Sequence, residues 1–352
     1  MNIFNKKTPA TIGLDISSSA VKLIQFSRGE SGIRVEHFAI EPLSVGAVKD
    51  KAVVDSDVVA TAIERAVRRS GAKAKNCAVS VSGSAVMTKT ISLPADMSDV
   101  ELESQIEIEA DQYIPYSLDE VNRDFEVLGP SKRSADLVDV LLAACKSENI
   151  DLLTAAVEQA GLKTRVVDVE AYAIANAFVL IRHRDGIPAD QTIAIFEIGS
   201  QQSSFVILNG DRVVYSREHA FGSSQLIDDI ARRYDLNADE AMVMLRGDDH
   251  PDDFVQMVIE PFQQSVVQQI GRALQFFSSS NEFQNIESLF LAGGAALMQG
   301  LDQVVSNELG ITTEVADPIR GLSVSNKVPA NSLRANAPAL MAACGLAMRG
   351  FD

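Results

Sequence analysis

The chain has 352 residues, with 31 Lys and Arg against 48 Asp and Glu, a formal charge of −17, three Cys and no Trp. At 46% hydrophobic and 22% charged it is an ordinary globular composition, neither disordered nor fibrous, and at ~150 residues per domain it fills two or three units. The acidic balance excludes a general nucleic-acid-binding role, which needs a basic face, but it leaves room for a local anion site and favours cationic peptides as partners.

Cys77, Cys145 and Cys344 are far apart, odd in number and set among apolar neighbours, so buried thiols are expected rather than disulfides. The segment MNIFNKKTPATIG has no apolar signal-type core, and no run reaches the ~20 apolar residues of a membrane span. A cytoplasmic protein, held at any membrane only through partners, is the expectation.

Taken in chain order, Thr11–Ser27 reads as two short strands around a turn of serines, with Ile12, Leu14 and Ile16 alternating on the way in and Val21 and Leu23 on the way out. A third strand is predicted at Arg34–Ile40. A helix follows from about Asp55 to Ser70, stopped by Gly71, and then a strand at Cys77–Val81. Met87–Pro94 is strand-like, and Ser98 with Glu101 forms a capping-box signature for an acidic helix running to about Tyr113. Strands near Asp124–Leu128 and Leu137–Cys145 and a helix at Asn149–Ala160 complete what reads as an inserted subdomain. The opening plan then returns: strand, small polar turn and strand over Thr192–Leu208, a third strand at Arg212–Glu218, a helix at Gln225–Tyr234, and a strand at Leu289–Ala292 running into Gly293-Gly294. A helix rich in Ala, Leu and Met closes the sequence at Ala337–Arg349, with Pro338 in its first turn. Two units of one plan predict two similar α/β domains facing each other.

Candidate chemistry follows from that duplication. Asp15 and Glu197 each enter a polar turn, Ser17-Ser18-Ser19 in one half and Gly199-Ser200-Gln201-Gln202 in the other. Turn N–H groups and hydroxyls hold phosphate oxygens, Lys22 adds a cation, and two carboxylates position a hydrated Mg²⁺. Gly293-Gly294-Ala295, with Met298 and Gly300 beyond, lets backbone approach a flat ligand such as a purine. Against these, the bland reading is two hairpins with polar turns and a glycine turn, and only the matched pair of hairpins lifts the phosphate reading above it. Other signals go to the bland reading: His183-Arg184-Asp185 lacks the rest of a kinase loop, the four His are scattered, and the acidic stretch at Asp248-Asp249 lacks EF-hand spacing.

GLDISSSAVKL, FEIGSQQSSFVIL and LFLAGGAALMQGL resemble the two phosphate motifs and the adenosine motif of the actin-like ATPase superfamily, which includes actin, DnaK, sugar kinases and FtsA. Within it, ESQIEIEADQYIPYSLDEVNRDFEVLG and APALMAACGLAMR resemble the PilM family of type IV pilus assembly, over nearly the whole chain. The resemblance implies duplicated RNase H-like β-β-β-α-β-α domains with an FtsA-like insertion. The division is residues 1–86 for the core of domain I, 87–163 for the insertion, 164–188 for its continuation, 189–334 for domain II, and 335–352 for a helix returning to domain I. It implies ATP or ADP with Mg²⁺ between the domains, Gly222-Ser223 as a further nucleotide-site pair, and Glu170 as the residue orienting the attacking water, with Asp168 as an alternative. It also implies a groove for the short N-terminal cytoplasmic tail of the inner-membrane protein PilN, including Leu93 and Tyr113, and contact with the motor ATPases; a homodimer is left open.

Departures from the superfamily pattern lie at Ser17 and Glu197, where Gly and Asp are usual, at Gly222-Ser223, where a glycine pair is usual, and at Met242 and Leu245, where polar contacts to the nucleoside are usual. Nucleotide binding with very slow or no turnover is therefore expected. The competing readings are a metabolite kinase or phosphatase of this fold, and an FtsA- or GspL-like scaffold of another membrane machine. The latter carry an amphipathic helix or a membrane span that is not found here.

Overall fold

The computed structural model describes residues 10–30, 32–131, 133–247, 249–280 and 285–352. The expectations drawn at residues 1–9 and at Asp248 lie outside the described residues. The first half opens with β1 (Thr11–Ile16), β2 (Ala20–Gly29) and β3 (Gly32–Pro42), followed by a minimal hairpin, β4 (Val48–Lys49) and β5 (Ala52–Val53). Helix α1 (Ser56–Ser70) starts where the Asp55 carboxylate accepts from the Val58 N–H, and it ends at Gly71 in the left-handed conformation (φ 66°). Strand β6 (Asn76–Val81) then pairs parallel to β1.

The inserted piece comprises β7 (Val86–Pro94), α2 (Asp99–Tyr113), β8 (Val121–Pro130) and β9 (Leu137–Lys146), a three-stranded antiparallel sheet in the order β7-β9-β8. Its helix carries the full capping box, the Ser98 hydroxyl accepting from the Glu101 N–H and the Glu101 carboxylate from the Ser98 N–H. Ile106 and Ala110 of α2 pack on Ile91, Leu93, Val140 and Leu142, a small core of its own. The next helix, α3 (Ser147–Gln159), was placed with the insertion by sequence. Its Leu153, Ala156 and Val157 lie instead in the same core as Val59 and Ile63 of α1, and Gln159 donates to Asp57 at 2.9 Å.

Strand β10 (Lys163–Val169) and helix α4 (Glu170–Asp185) lead to the second half: β11 (Thr192–Ile198), β12 (Ser203–Asn209), β13 (Arg212–His219), α5 (Ser224–Tyr234) and α6 (Ala238–Arg246). The long α7 (Glu260–Ser280), β14 (Ser288–Ala292), α8 (Leu301–Leu309) and β15 (Thr312–Val315) follow, then β16 (Ser323–Val324), α9 (Ala330–Ala335) and α10 (Met341–Met348). The closing helix expected from Ala337 begins as a tight 3₁₀ turn, Ala337–Leu340, with Pro338 inside it.

The two large sheets run β10-β6-β1-β2-β3-β16 and β13-β12-β11-β14-β15. Each is an antiparallel three-strand meander extended on its first-strand side by two parallel strands, with β16 added parallel to β3 at the other edge of the first sheet, so the duplication read from sequence is a duplication of topology. Helices α4 and α10 lie between the sheets. Phe178 and Ile181 of α4 and Met341, Ala343 and Cys344 of α10 share one core with Ile24 and Phe26 of one sheet and with Ile195, Val206 and Phe290 of the other. Gly13 shows how close this packing is: a Cβ there would stand 2.1 Å from the Ala343 carbonyl oxygen. Ile12 and Leu14 face the opposite core, against Val59 and Ile63. Among the described residues no helix is long and apolar enough to cross a membrane, and Cys77, Cys145 and Cys344 are free and buried.

Candidate functional site: a cleft between the two sheets

Hairpin register places the key side chains. Asp15 lies opposite Lys22 in β1–β2, and Lys22 Nζ donates to Asp15 Oδ2 at 2.8 Å. Glu197 lies opposite Ser204 in β11–β12. One cleft is lined by Asp15, Ser17, Ser18, Ser19 and Lys22 from the first half and by Glu197, Gly199, Ser200, Gln201, Gln202 and Ser223 from the second. Gly293, Gly294 and Glu170 line it too, so nearly all the cofactor and metal candidates converge as the duplication requires.

Three cofactor candidates are not on the wall. Ala295 and Met298 sit in and after the turn following β14 and pack toward the second-half core. Gly222 supports the wall instead. The turn it opens returns the Ser223 and Ser224 N–H groups to the carbonyls of Gly199 and Ser200 at 2.9 and 2.8 Å, and a Cβ on Gly222 would lie 2.2 Å from the Ser200 oxygen. Gly293 is held in a backbone conformation suited to glycine (φ 86°), its N–H donating to the Pro338 carbonyl at 2.8 Å.

The site is a cluster of buried charge. Glu197 is 7% exposed, and its Oε2 is buried with no hydrogen-bond partner among the described residues. Burial, then the nearby Glu170 carboxylate and more weakly Asp15, push its carboxyl up to about 8 against the pull of Lys22 and Lys51. Burial lowers the Lys22 ammonium, but Asp15, Glu197 and Glu170 together raise it. No three His, Cys, Asp or Glu side chains among the described residues form a self-sufficient metal cage. The donor set instead suits a hard, mostly hydrated cation, because the orphaned Glu197 oxygen and Asp15 offer two carboxylates of the kind that hold Mg²⁺ through water.

The two candidates for the water-orienting role part company. Glu170, at the first turn of α4, faces the cleft, where its Oε1 accepts from Lys51 Nζ at 2.5 Å and from Ser204 Oγ at 3.2 Å. Asp168 is not on the cleft wall. It is buried in an ion pair with Arg349 at 2.7 Å, which ties β10 to the segment after α10.

Lys51 was missed in the sequence. It comes from the two-residue turn between β4 and β5 and crosses to the second half, where Nζ also donates to Ser204 Oγ at 2.7 Å. Burial lowers its ammonium, but Glu170, Glu197 and Glu218 outweigh that and carry it to about 12. Arg246, at the end of α6, also lines the cleft, although Met242 is partly exposed and Leu245 packs into the core. Helix α6 therefore brings one polar side chain to the cleft, one position past Leu245.

The peptide candidates separate as well. Leu93 is 5% exposed in the core of the inserted sheet and offers no docking surface, because alternation along β7 turns it inward with Ile91. Tyr113 is 39% exposed, and Lys89 of β7 sits over its ring at 5.3 Å.

The doubled sheets, the two helices between them and the cleft edged by both polar turns define an actin-like fold. The ethanolamine utilization protein EutJ from Carboxydothermus hydrogenoformans shares it at 15% identity, over 97% of this chain and 89% of that one, with a TM-score of 0.60. MreB5 of Spiroplasma citri, in a structure bound to ADP, shares it at 13% identity over 96% and 95%, with a TM-score of 0.50. A solved PilM–PilN type IV pilus biogenesis complex is 26% identical over 97% of this chain and 98% of the matched chain, with a TM-score of 0.81. Residues 13–351 match the family described as type IV pilus assembly protein PilM, and the chain belongs to that family. Its place is in pilus biogenesis, which sets aside the metabolite-enzyme reading.

Proposed function

We propose that the chain is a nucleotide-dependent adaptor that holds a Mg²⁺-nucleotide in the cleft and binds the N-terminal cytoplasmic tail of a PilN-type membrane protein on its inserted subdomain. The full-length likeness to the PilM–PilN complex is the observation that carries this reading. The phosphates would be held by the Ser17–Ser19 and Gly199–Gln202 turns with Lys22, the base by Gly293-Gly294 with Arg246, and the metal by Asp15 and Glu197 through water. A bound metal ion would supply phosphate charge neutralisation; Glu170 would orient a water, and Lys51 engages it in this arrangement. The insertion is best taken as β7 to β9, with α3 returned to the first domain.

For the peptide, β7 pairs only with β9 among the described residues, so its other edge is open to an added strand. Tyr113 stands beside it, and the exposed acids Glu101, Glu103, Glu107 and Asp111 of α2 favour a basic tail. Strand β13 links the two sites. At one end Glu218 accepts from Ser82 Oγ at 2.6 Å, just before β7, and at the other Arg212 donates to the Leu128 carbonyl of β8 at 2.7 Å. A shift of the second sheet about the cleft would thus be felt at both ends of the inserted sheet, the differential contact that coupling requires.

Calorimetric titration with the N-terminal tail peptide of the PilN from the same organism, with and without Mg²⁺-ATP, tests the adaptor reading: saturable 1:1 binding supports it, and no binding in either condition ends it. Tyr113→Ala should weaken the peptide about tenfold or more, as loss of a central aromatic anchor does, and leave nucleotide affinity within about twofold. Asp15→Ala should weaken Mg²⁺-ATP by about 10–100-fold; an unchanged isotherm would remove the phosphate-site assignment.

A further inference from the structure

We propose that Lys51 is a ligand for the terminal phosphate of a nucleoside triphosphate in the cleft, delivered there by the β4–β5 hairpin; this rests on the nucleotide reading above. The first acid-bearing hairpin carries its own cation, Lys22 directly across from Asp15. The second has Ser204 across from Glu197, and no cation of its own at that position. Lys51 fills the gap from the other half of the molecule, with Nζ 2.7 Å from Ser204 Oγ and 2.5 Å from Glu170 Oε1. Each polar turn is thereby served by one lysine.

The backbone that presents Lys51 is costly for the residues it contains. Val48 pairs with Val53 and Lys49 with Ala52, which leaves Asp50 and Lys51 as a two-residue turn with φ of 50° and 60°. Such turns favour Asn-Gly, and a lysine at positive φ is strained. The sequence keeps side chains there, and both are engaged: Asp50 Oδ1 accepts from Gln202 Nε2 of the second polar turn at 3.3 Å, while Lys51 enters the cleft. An outlier whose side chains both reach the other half of the molecule argues for a role at the ligand rather than a casual turn.

Sheet order and the Glu170 contact together point to the phosphate. Ser204 is on β12 and Gly293 follows β14, and these strands flank β11. Strands lie about 4.8 Å apart, so Lys51 is held roughly 10 Å from the glycine pair along the sheet. That is the polyphosphate end of a nucleotide whose base rests on the glycines. The ion pair of Lys51 with Glu170, the group assigned above to the attacking water, puts it at the phosphate that such a water would attack, which is the terminal one.

Mg²⁺-ATP and Mg²⁺-ADP titrations of the wild-type chain and of Lys51→Ala test this. The variant should lose about 10–100-fold for Mg²⁺-ATP, the loss expected for one charge-assisted contact, and less than about threefold for Mg²⁺-ADP. Equal losses for both nucleotides, or none for ATP, overturn the proposal; equal losses would mark Lys51 as a pin between the halves. Wild-type protein that binds neither nucleotide ends the nucleotide reading itself, and this assignment with it. Lys51→Gln, which keeps reach and a donor but no charge, is read by the same criteria should the alanine variant fail to fold.

Discussion

Replacing Gly345 by alanine should lower the melting temperature by about 4–7 °C, as a loss of roughly 3–5 kcal/mol would in a chain of 352 residues. Two effects oppose each other at this position. Alanine is the better helix former by about 1 kcal/mol, which taken alone predicts a stabilised α10. But a Cβ on Gly345 would stand 1.7 Å from the Ala173 carbonyl oxygen and 2.6 Å from its carbon. Those atoms are α4 backbone, which cannot rotate aside, so α4 and α10 must separate inside a core packed against both sheets. The clash wins. Gly29→Ala, where an added Cβ meets nothing within 4 Å, should stay within about 0.5 kcal/mol of wild type. Thermal melts of both variants decide the matter, and a Gly345→Ala protein that melts with the wild type would refute the close contact.

A second large effect is expected at Glu197, and it depends on pH. The ordinary carboxyl value of 4.5 describes the unfolded chain, and the folded value is about 8. Between those values the folded state keeps a proton that the unfolded state has lost. The group's favourable contribution is therefore whole below the unfolded value and drains away as pH rises through the folded one, at up to about 1.4 kcal/mol per pH unit. Glu197→Gln carries no such titration. Its urea stability should match wild type near pH 4.5 and exceed it by a few kcal/mol at pH 8.5; parallel curves across that range would refute the buried, protonated carboxyl. A divalent cation beside the orphaned oxygen demands the ionised form. Mg²⁺-nucleotide binding at pH 7 should thus release close to one proton, read as a calorimetric enthalpy that changes with the buffer's ionisation heat.

The hairpins, their acids and the repetition of the unit are legible because each rests on a short-range pattern: alternation, a polar turn and a capping residue. What escapes notice is set by contacts between distant segments. Helix α4 gives no amphipathic stripe, because Ala173, Ile174, Ala177 and Phe178 are buried between two sheets. Lys51 sits in a turn between strands of two residues each, too short for alternation to register, and its importance appears only once Glu170 and Ser204 are beside it. Asp168 and Glu170 are two residues apart and look interchangeable in sequence, yet the start of α4 turns one toward the cleft and the other toward Arg349. At Leu93 the alternation is legible too, and it turns the residue into the core of the inserted sheet rather than toward a surface. The α2 cap, by contrast, needed only Ser98 and Glu101.

The seating of α10 against β1 also fixes an order of events during synthesis. Gly13 leaves the ribosome early, but the face it belongs to is covered by a helix that does not begin until Met341. Until then one side of the first sheet, with Ile24 and Phe26 among its apolar residues, has only the partial cover that α4 gives it. The second half can assemble around α5, α7 and α8 while the first still waits. Domains usually mature in the order in which they are made, and here the earliest one is completed last. Long-range closure of this kind is slow, and a chain that stops short of Met341 leaves a half-covered sheet rather than a finished domain.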